Sequence, residues 1–140
     1  MDAFDHVDLT VSSLDASLPI YRSLLGPLGF DVSREIEGER AERVVYLSRD
    51  GSKGALGLRE RQAGDGDYDR YDLGLHHLAF GAEGRAEVDR IAALAAELGL
   101  ETEGQPGEYD YALGYYAVFV HDPDGIKLEF MHRPVPTEAR

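Results

Sequence analysis

The chain contains no cysteine. That excludes disulfides, zinc–thiolate centres and thiol catalysis, and leaves His, Asp and Glu as the side chains able to hold a metal. It has no apolar run approaching the roughly 20 residues that a membrane helix requires. Residues 1–12 lack the basic start and apolar stretch of a signal peptide. A soluble, cytoplasmic protein is the expectation. Basic residues are scarce, with 14 Lys and Arg against 27 Asp and Glu and a formal charge of −13. No cluster of Lys and Arg offsets this excess, so phosphate backbones are repelled and nucleic acid is excluded as a partner. At 140 residues the chain is of single-domain size and long enough to bury its own core.

What is present is a repeat. His6, in Asp5-His6-Val7-Asp8, is followed by a polar turn at Ser12-Ser13. A helix-period stretch holding Leu18, Tyr21, Leu24, Leu25 and Leu28 then leads to Gly29-Phe30. His77 is followed by a Gly-containing turn, a stretch holding Val88, Ile91, Leu94, Ala95 and Leu98, and Gly99-Leu100. The histidine-to-glycine interval is about 23 residues in one half and about 22 in the other. Strand signals follow each helix. They are Arg43–Leu47 and Ala55–Leu58 around a turn at Asp50-Gly51, and Tyr115–Val120 and Ile126–Met131 around a turn at Asp124-Gly125. Each half is expected to run strand, helix, then two or three strands, with one module over about residues 1–62 and the other over about 74–133. A glycine- and aspartate-rich linker over about 63–73 separates them. Pro19 is disfavoured inside a helix, so the first helix is expected to start near Ser17. The spaced aspartates of the linker lack the closing glutamate of a helix–loop–helix calcium site, and no calcium site is assigned there.

Two histidines and a carboxylate on strands form the ligand set of a divalent metal that keeps positions open for a substrate. His6 and His77 hold equivalent places in the two halves. Successive strand residues face opposite sides of a sheet, so His77 pairs with His6 while His76 falls on the other face, where it is either structural or a support to a metal ligand. Glu129 lies on the Lys127, Glu129, Met131 face of the last strand and is the best-placed acidic candidate for a third ligand. His121 and His132 have no repeat partners and are taken as structural or surface residues. The turn Asp122-Pro123-Asp124-Gly125 is explained by its glycine alone.

These residues resemble the vicinal oxygen chelate superfamily, which includes glyoxalase I, extradiol dioxygenases, and fosfomycin- and bleomycin-resistance proteins. The resemblance rests on Asp5-His6-Val7, on Tyr21-Arg22-Ser23-Leu24-Leu25-Gly26 with Leu28-Gly29-Phe30, on His77-Leu78-Ala79-Phe80, and on Asp122-Pro123-Asp124-Gly125 running to Leu128-Glu129-Phe130. It implies an α+β fold of two βαβββ modules whose mixed sheet curls around a central cavity. It also implies a homodimer, with the site formed within one chain or across two. His6, His77 and Glu129 match its metal ligands, and the ion would be Fe(II), Mn(II), Ni(II) or Zn(II). The fourth carboxylate of glyoxalase I is missing from Ala55-Leu56-Gly57-Leu58, and Glu60 replaces it only if the strand register shifts.

The resemblance does not fix the reaction, because the scaffold hosts lyase, isomerase and dioxygenase chemistry. Phe119 and Asp110 stand where ring-cleaving dioxygenases carry a tyrosine and a histidine. The loop Gly107-Glu108-Tyr109-Asp110-Tyr111 is acidic and aromatic, which argues against a strongly anionic substrate. Tyr109 and Tyr111 are candidates to line the cavity, and a tyrosine hydroxyl or Glu60 is the candidate general base. Two functions are expected from this reading. One is a metal-dependent enzyme acting on a small substrate held through vicinal oxygens; the other is a metal-free protein that sequesters an antibiotic or similar drug.

Overall fold

The computed structural model describes residues 3–51 and 53–134. The chain divides into two compact units, with the break after Asp67. The first unit runs β1 (His6–Val11), α1 (Leu14–Leu25), a 3-10 turn (Gly26–Leu28), β2 (Val32–Glu37), β3 (Arg43–Ser48) and β4 (Ala55–Glu60). The second runs β5 (Leu78–Gly81), α2 (Arg85–Glu97), β6 (Gly107–Glu108), β7 (Tyr116–His121) and β8 (Lys127–His132). Each unit builds a four-stranded mixed sheet, ordered β1-β4-β3-β2 in one and β5-β8-β7-β6 in the other. The α+β architecture and the βαβββ repeat are those expected from the sequence.

In each sheet the first strand pairs in parallel with the last. His6 lies beside Ala55 and Asp8 beside Gly57, while Leu78 lies beside Leu128 and Ala79 beside Glu129. The registers match Asp8 and Gly57 to Ala79 and Glu129, which sets His77, just before β5, at the position His6 holds at the start of β1. The helices cover one face of each sheet. Leu14, Leu18, Tyr21, Leu24 and Leu25 of α1 are buried at helical spacing, as are Val88, Ile91 and Ala95 of α2. Both helical stretches end on a glycine with positive φ, Gly29 at 84° and Gly99 at 73°, a conformation that costs a residue with a Cβ far more than it costs glycine.

The start of α1 corrects the expectation from Pro19. The helix begins at Leu14, one turn before Ser17, with Pro19 in its interior. Ser13 caps it, its Oγ accepting from the Ala16 N–H at 3.2 Å. Leu14 is fully buried, which draws the first turn into helix. Pro19 and Asp15 both sit on the exposed side, so the carbonyl that loses its partner to the proline is left in water rather than in the core.

The segment 62–67 is exposed and carries no regular structure. It is pinned by Arg61, whose Nη2 donates to the Gly66 carbonyl at 2.7 Å. Tyr68 belongs to the second unit and is half-buried, its hydroxyl donating to the Leu75 carbonyl. At the other end of that unit, Asp122 Oδ1 accepts from the Asp124 and Ile126 N–H groups, both at 2.8 Å, and Gly125 takes φ 83°. This is the expected turn, and it delivers the chain directly into β8.

No helix among the described residues is long and apolar enough to cross a membrane.

Candidate functional site

The second unit holds a cavity of about 460 Å³ whose wall includes His77 and Glu129. β8 alternates, with Leu128 and Phe130 fully buried against the helix side and Lys127, Glu129 and Met131 on the opposite face. A charged residue on that opposite face is ordinarily solvated, yet Glu129 is only 4% exposed. Both of its oxygens are engaged. Oε1 lies 3.2 Å from His77 Nε2, and Oε2 accepts the Tyr115 hydroxyl. Burial, reinforced by this bond to a carboxylate, raises the Tyr115 phenol well above its ordinary value, so Tyr115 remains a donor.

His76 lies in the same cavity wall, not on the opposite face assigned from strand alternation. Alternation fails here because β5 begins at Leu78, leaving His76 and His77 in irregular chain just before it. The two Nδ1 atoms are 2.9 Å apart. If His77 Nε2 donates its proton to Glu129, His77 Nδ1 is the acceptor and His76 Nδ1 carries the bridging proton. Were His77 to bind a metal through Nε2, the proton would sit on His77 Nδ1 and point to His76.

Aromatic rings form a further wall. Tyr109 and Tyr111 stack at 5.3 Å with 9° between planes. Tyr109 meets Phe119 edge to face at 5.4 Å, and Tyr111 meets Tyr115 the same way at 5.2 Å. Tyr109 and Tyr111 line the same cavity as His77 and Glu129. The phenol of Tyr109 is raised, chiefly by burial, which suits it to donating a hydrogen bond rather than accepting a proton.

The first unit differs. His6 borders a cavity of about 350 Å³ together with Arg34, Tyr46 and Ser48. Its Nδ1 lies 2.8 Å from Asp5 Oδ1, and its ring meets Tyr46 edge to face at 5.6 Å. Gly57 occupies the place that Glu129 holds in the second unit. A Cβ there would come within 2.5 Å of both Asp8 Oδ1 and the Tyr46 ring, so those two side chains fill the space a residue 57 side chain would take. Asp8 Oδ2 accepts from Arg59 Nη2 at 2.7 Å, from Arg59 Nε at 3.1 Å and from the Tyr46 hydroxyl at 3.0 Å. Arg59 Nη1 also reaches the buried Glu42 at 3.1 Å.

Glu60 ends β4 in unshifted register with Val11 and is exposed. By alternation it faces away from Gly57 and Asp8, and it lines neither the His6 cavity nor the His77 cavity. His121 sits between Glu101 at 3.2 Å and Glu103 at 2.6 Å, and His132 Nδ1 lies 3.1 Å from the Ala82 carbonyl. Both histidines thus serve the structure, as expected.

The donor set suits a divalent metal in kind. An imidazole nitrogen and a buried carboxylate oxygen face each other across 3.2 Å, and a second histidine supports the first. In number it is partial, since within neither unit do three His, Asp or Glu side chains converge among the described residues.

Both geometry and sequence agree with known proteins. Residues 3–130 match the Glyoxalase/Bleomycin resistance protein/Dioxygenase superfamily, and the chain belongs to that superfamily. It is 30% identical over 129 residues to the uncharacterized protein YqjT of Bacillus subtilis (strain 168), covering 90% of this chain and 95% of that one. Its fold is similar to a glyoxylase/bleomycin resistance protein/dioxygenase domain from Frankia sp. EAN1pec. That likeness has a TM-score of 0.77 at 25% identity, over 96% of this chain and 99% of the other. A glyoxalase/bleomycin resistance protein from Albidiferax ferrireducens T118 gives a TM-score of 0.74 at 27% identity, over 94% and 100% of the two chains.

Proposed function

We propose that this protein is a divalent-metal-dependent enzyme of the superfamily, acting on a small substrate through two neighbouring oxygens. His77 and Glu129 are two of the metal ligands. His6 is the third, supplied by the same chain or by a second copy in a cytoplasmic homodimer. The observation that carries the reading is Glu129, a buried carboxylate aimed at His77 Nε2 beside a cavity, with no Lys or Arg paired to it among the described residues. Burying a carboxylate without a cation costs several kcal/mol by order of magnitude, and a bound cation removes that cost.

A divalent ion at this place supplies Lewis-acid polarisation of the substrate oxygens. Tyr115 fixes one oxygen of Glu129 and thereby the direction in which the other points. His76 fixes the ring of His77. Tyr109, held protonated, donates to negative charge that develops on the substrate, and Tyr111 stacks on it to close the aromatic wall.

A metal-free reading, in which the chain sequesters a drug, draws support from the aromatic wall, since stacked tyrosines bind planar or cationic ligands without chemistry. Metal content separates the two. Plasma mass spectrometry on protein purified without chelator or affinity tag should find near-stoichiometric Fe, Mn, Ni or Zn in the wild type and little in His77→Ala. A wild type that stays empty after reconstitution with all four metals supports sequestration.

A further inference from the structure

The floor of the cavity in the second unit carries a cation that the metal site does not use. Lys127 opens β8, two residues ahead of Glu129 on the same face, so the two Cα atoms stand about 7 Å apart along the strand. Both side chains line the cavity. The Lys127 side chain is only 14% exposed, and lysine is almost never so enclosed without a partner. Its Nζ lies 3.1 Å from Glu103 Oε1 and 4.6 Å from the centroid of the Phe119 ring.

Glu103 does not belong to Lys127 alone. Its Oε2 is 2.6 Å from His121 Nε2 and 3.7 Å from Arg70 Nη2. Burial works against the charge of Glu103, but hydrogen bonds from His121 and Lys127 outweigh it and hold the carboxyl below its ordinary range. Lys127 and Arg70 thus share the one Glu103 carboxylate, while Glu129 adds a second carboxylate to the cavity wall. An ammonium has three N–H donors. Glu103 takes one and the Phe119 face another, which leaves the third for the cavity. Beside it, the stacked pair Tyr109 and Tyr111 meets Phe119 at 89°, so the rings form an aromatic corner against which one flat ring can pack.

We propose that Lys127 anchors the carboxylate of a small, planar, singly charged ligand whose ring lies against the Tyr109–Phe119 wall. This rests on the reading of the cavity as the substrate site, and it names the substrate class. A single charge is specified because Glu129 and Glu103 border the same space and repel a dianion. The acidic loop 107–111 argued against strongly anionic substrates; Lys127, lying outside that loop, admits a monocarboxylate.

Calorimetric titration of the EDTA-treated protein with benzoate, and with its neutral isostere benzamide, tests the anchor without metal. Wild type should prefer the acid by roughly tenfold, the weight of one charge-assisted hydrogen bond. The preference should vanish in Lys127→Gln and return in Lys127→Arg. Equal binding of acid and amide by the wild type, or an acid preference that survives in Lys127→Gln, overturns the anchor. Binding of neither overturns the anchor and the cavity's role as ligand site together. Acid preference in a protein that takes up no metal would leave the anchor standing and remove the metal. Stoichiometric metal without acid preference would do the reverse.

Discussion

The two units place the same elements around the same register position and fill it differently. In the first, Asp8, Gly57 and Tyr46 lie side by side across β1, β4 and β3; in the second, Ala79, Glu129 and Phe119 lie across β5, β8 and β7. The carboxylate sits on the edge strand β1 in the first unit and on the inner strand β8 in the second. Beside Asp8 stands Arg59, which neutralises it through two hydrogen bonds and ties it to Glu42. Among the described residues, Glu129 meets His77 and the Tyr115 hydroxyl. The duplicated scaffold thus holds one carboxylate paired with an arginine and one that is not, and the proposed metal falls where that pairing is missing.

The comparison can be broken by placing a carboxylate on the inner strand of the first unit. Gly57→Glu should destabilise the protein by about 1–3 kcal/mol, because its Cβ meets the Asp8 carboxylate and the Tyr46 ring. Adding Asp8→Ala and Tyr46→Ala should recover most of that loss, read as the urea midpoint at constant slope. A triple variant no more stable than the single one would mean that Asp8 and Tyr46 do not fill the place of residue 57.

A smaller effect, common to the two units but different in origin, is read by acid. Glu42 is held below its ordinary value of 4.5 mainly by backbone N–H groups, and Glu103 by His121 and Lys127 against the opposing effect of burial. At pH values between the folded and unfolded pKa, the unfolded chain binds more protons. Their contribution is therefore complete above about pH 4.5 and is lost as pH falls through the folded values. Unfolding followed between about pH 6 and pH 3 should lose stability toward acid, and Glu42→Gln and Glu103→Gln should each flatten that loss. An unchanged slope in either variant would remove that residue from the account.

Much of the scaffold was legible because it is local and periodic. The buried faces of α1 and α2, the glycines at 29 and 99 and the turn at 122–125 all follow from spacing within a few residues. Pro19 misled because propensity was weighed without the burial of Leu14 one turn earlier. β2, with the sequence VSREIE and mostly exposed, gave little hydrophobic signal to read. His76 was assigned by an alternation that begins only at Leu78. Within the site, His77, Glu129, Tyr109 and Tyr111 carried a signal of repeat, strand face or composition. The roles of Lys127, Glu103 and Tyr115 did not, because they rest on contacts across the sheet, such as Lys127 with Glu103 and Tyr115 with Glu129. The exchange of Glu129 for Asp8 with Arg59 is likewise a matter of strand register, since Asp8 and Gly57 meet only through the pairing of β1 with β4.

The most direct measurement is calorimetric Zn(II) titration of Glu129→Gln and Asp8→Asn beside the wild type. The account predicts that Glu129→Gln weakens binding by about 100-fold or more, as expected for loss of a ligand, while Asp8→Asn leaves it within about threefold. Equal losses in the two variants, or undiminished binding by Glu129→Gln, would contradict the assignment of Glu129 to the metal.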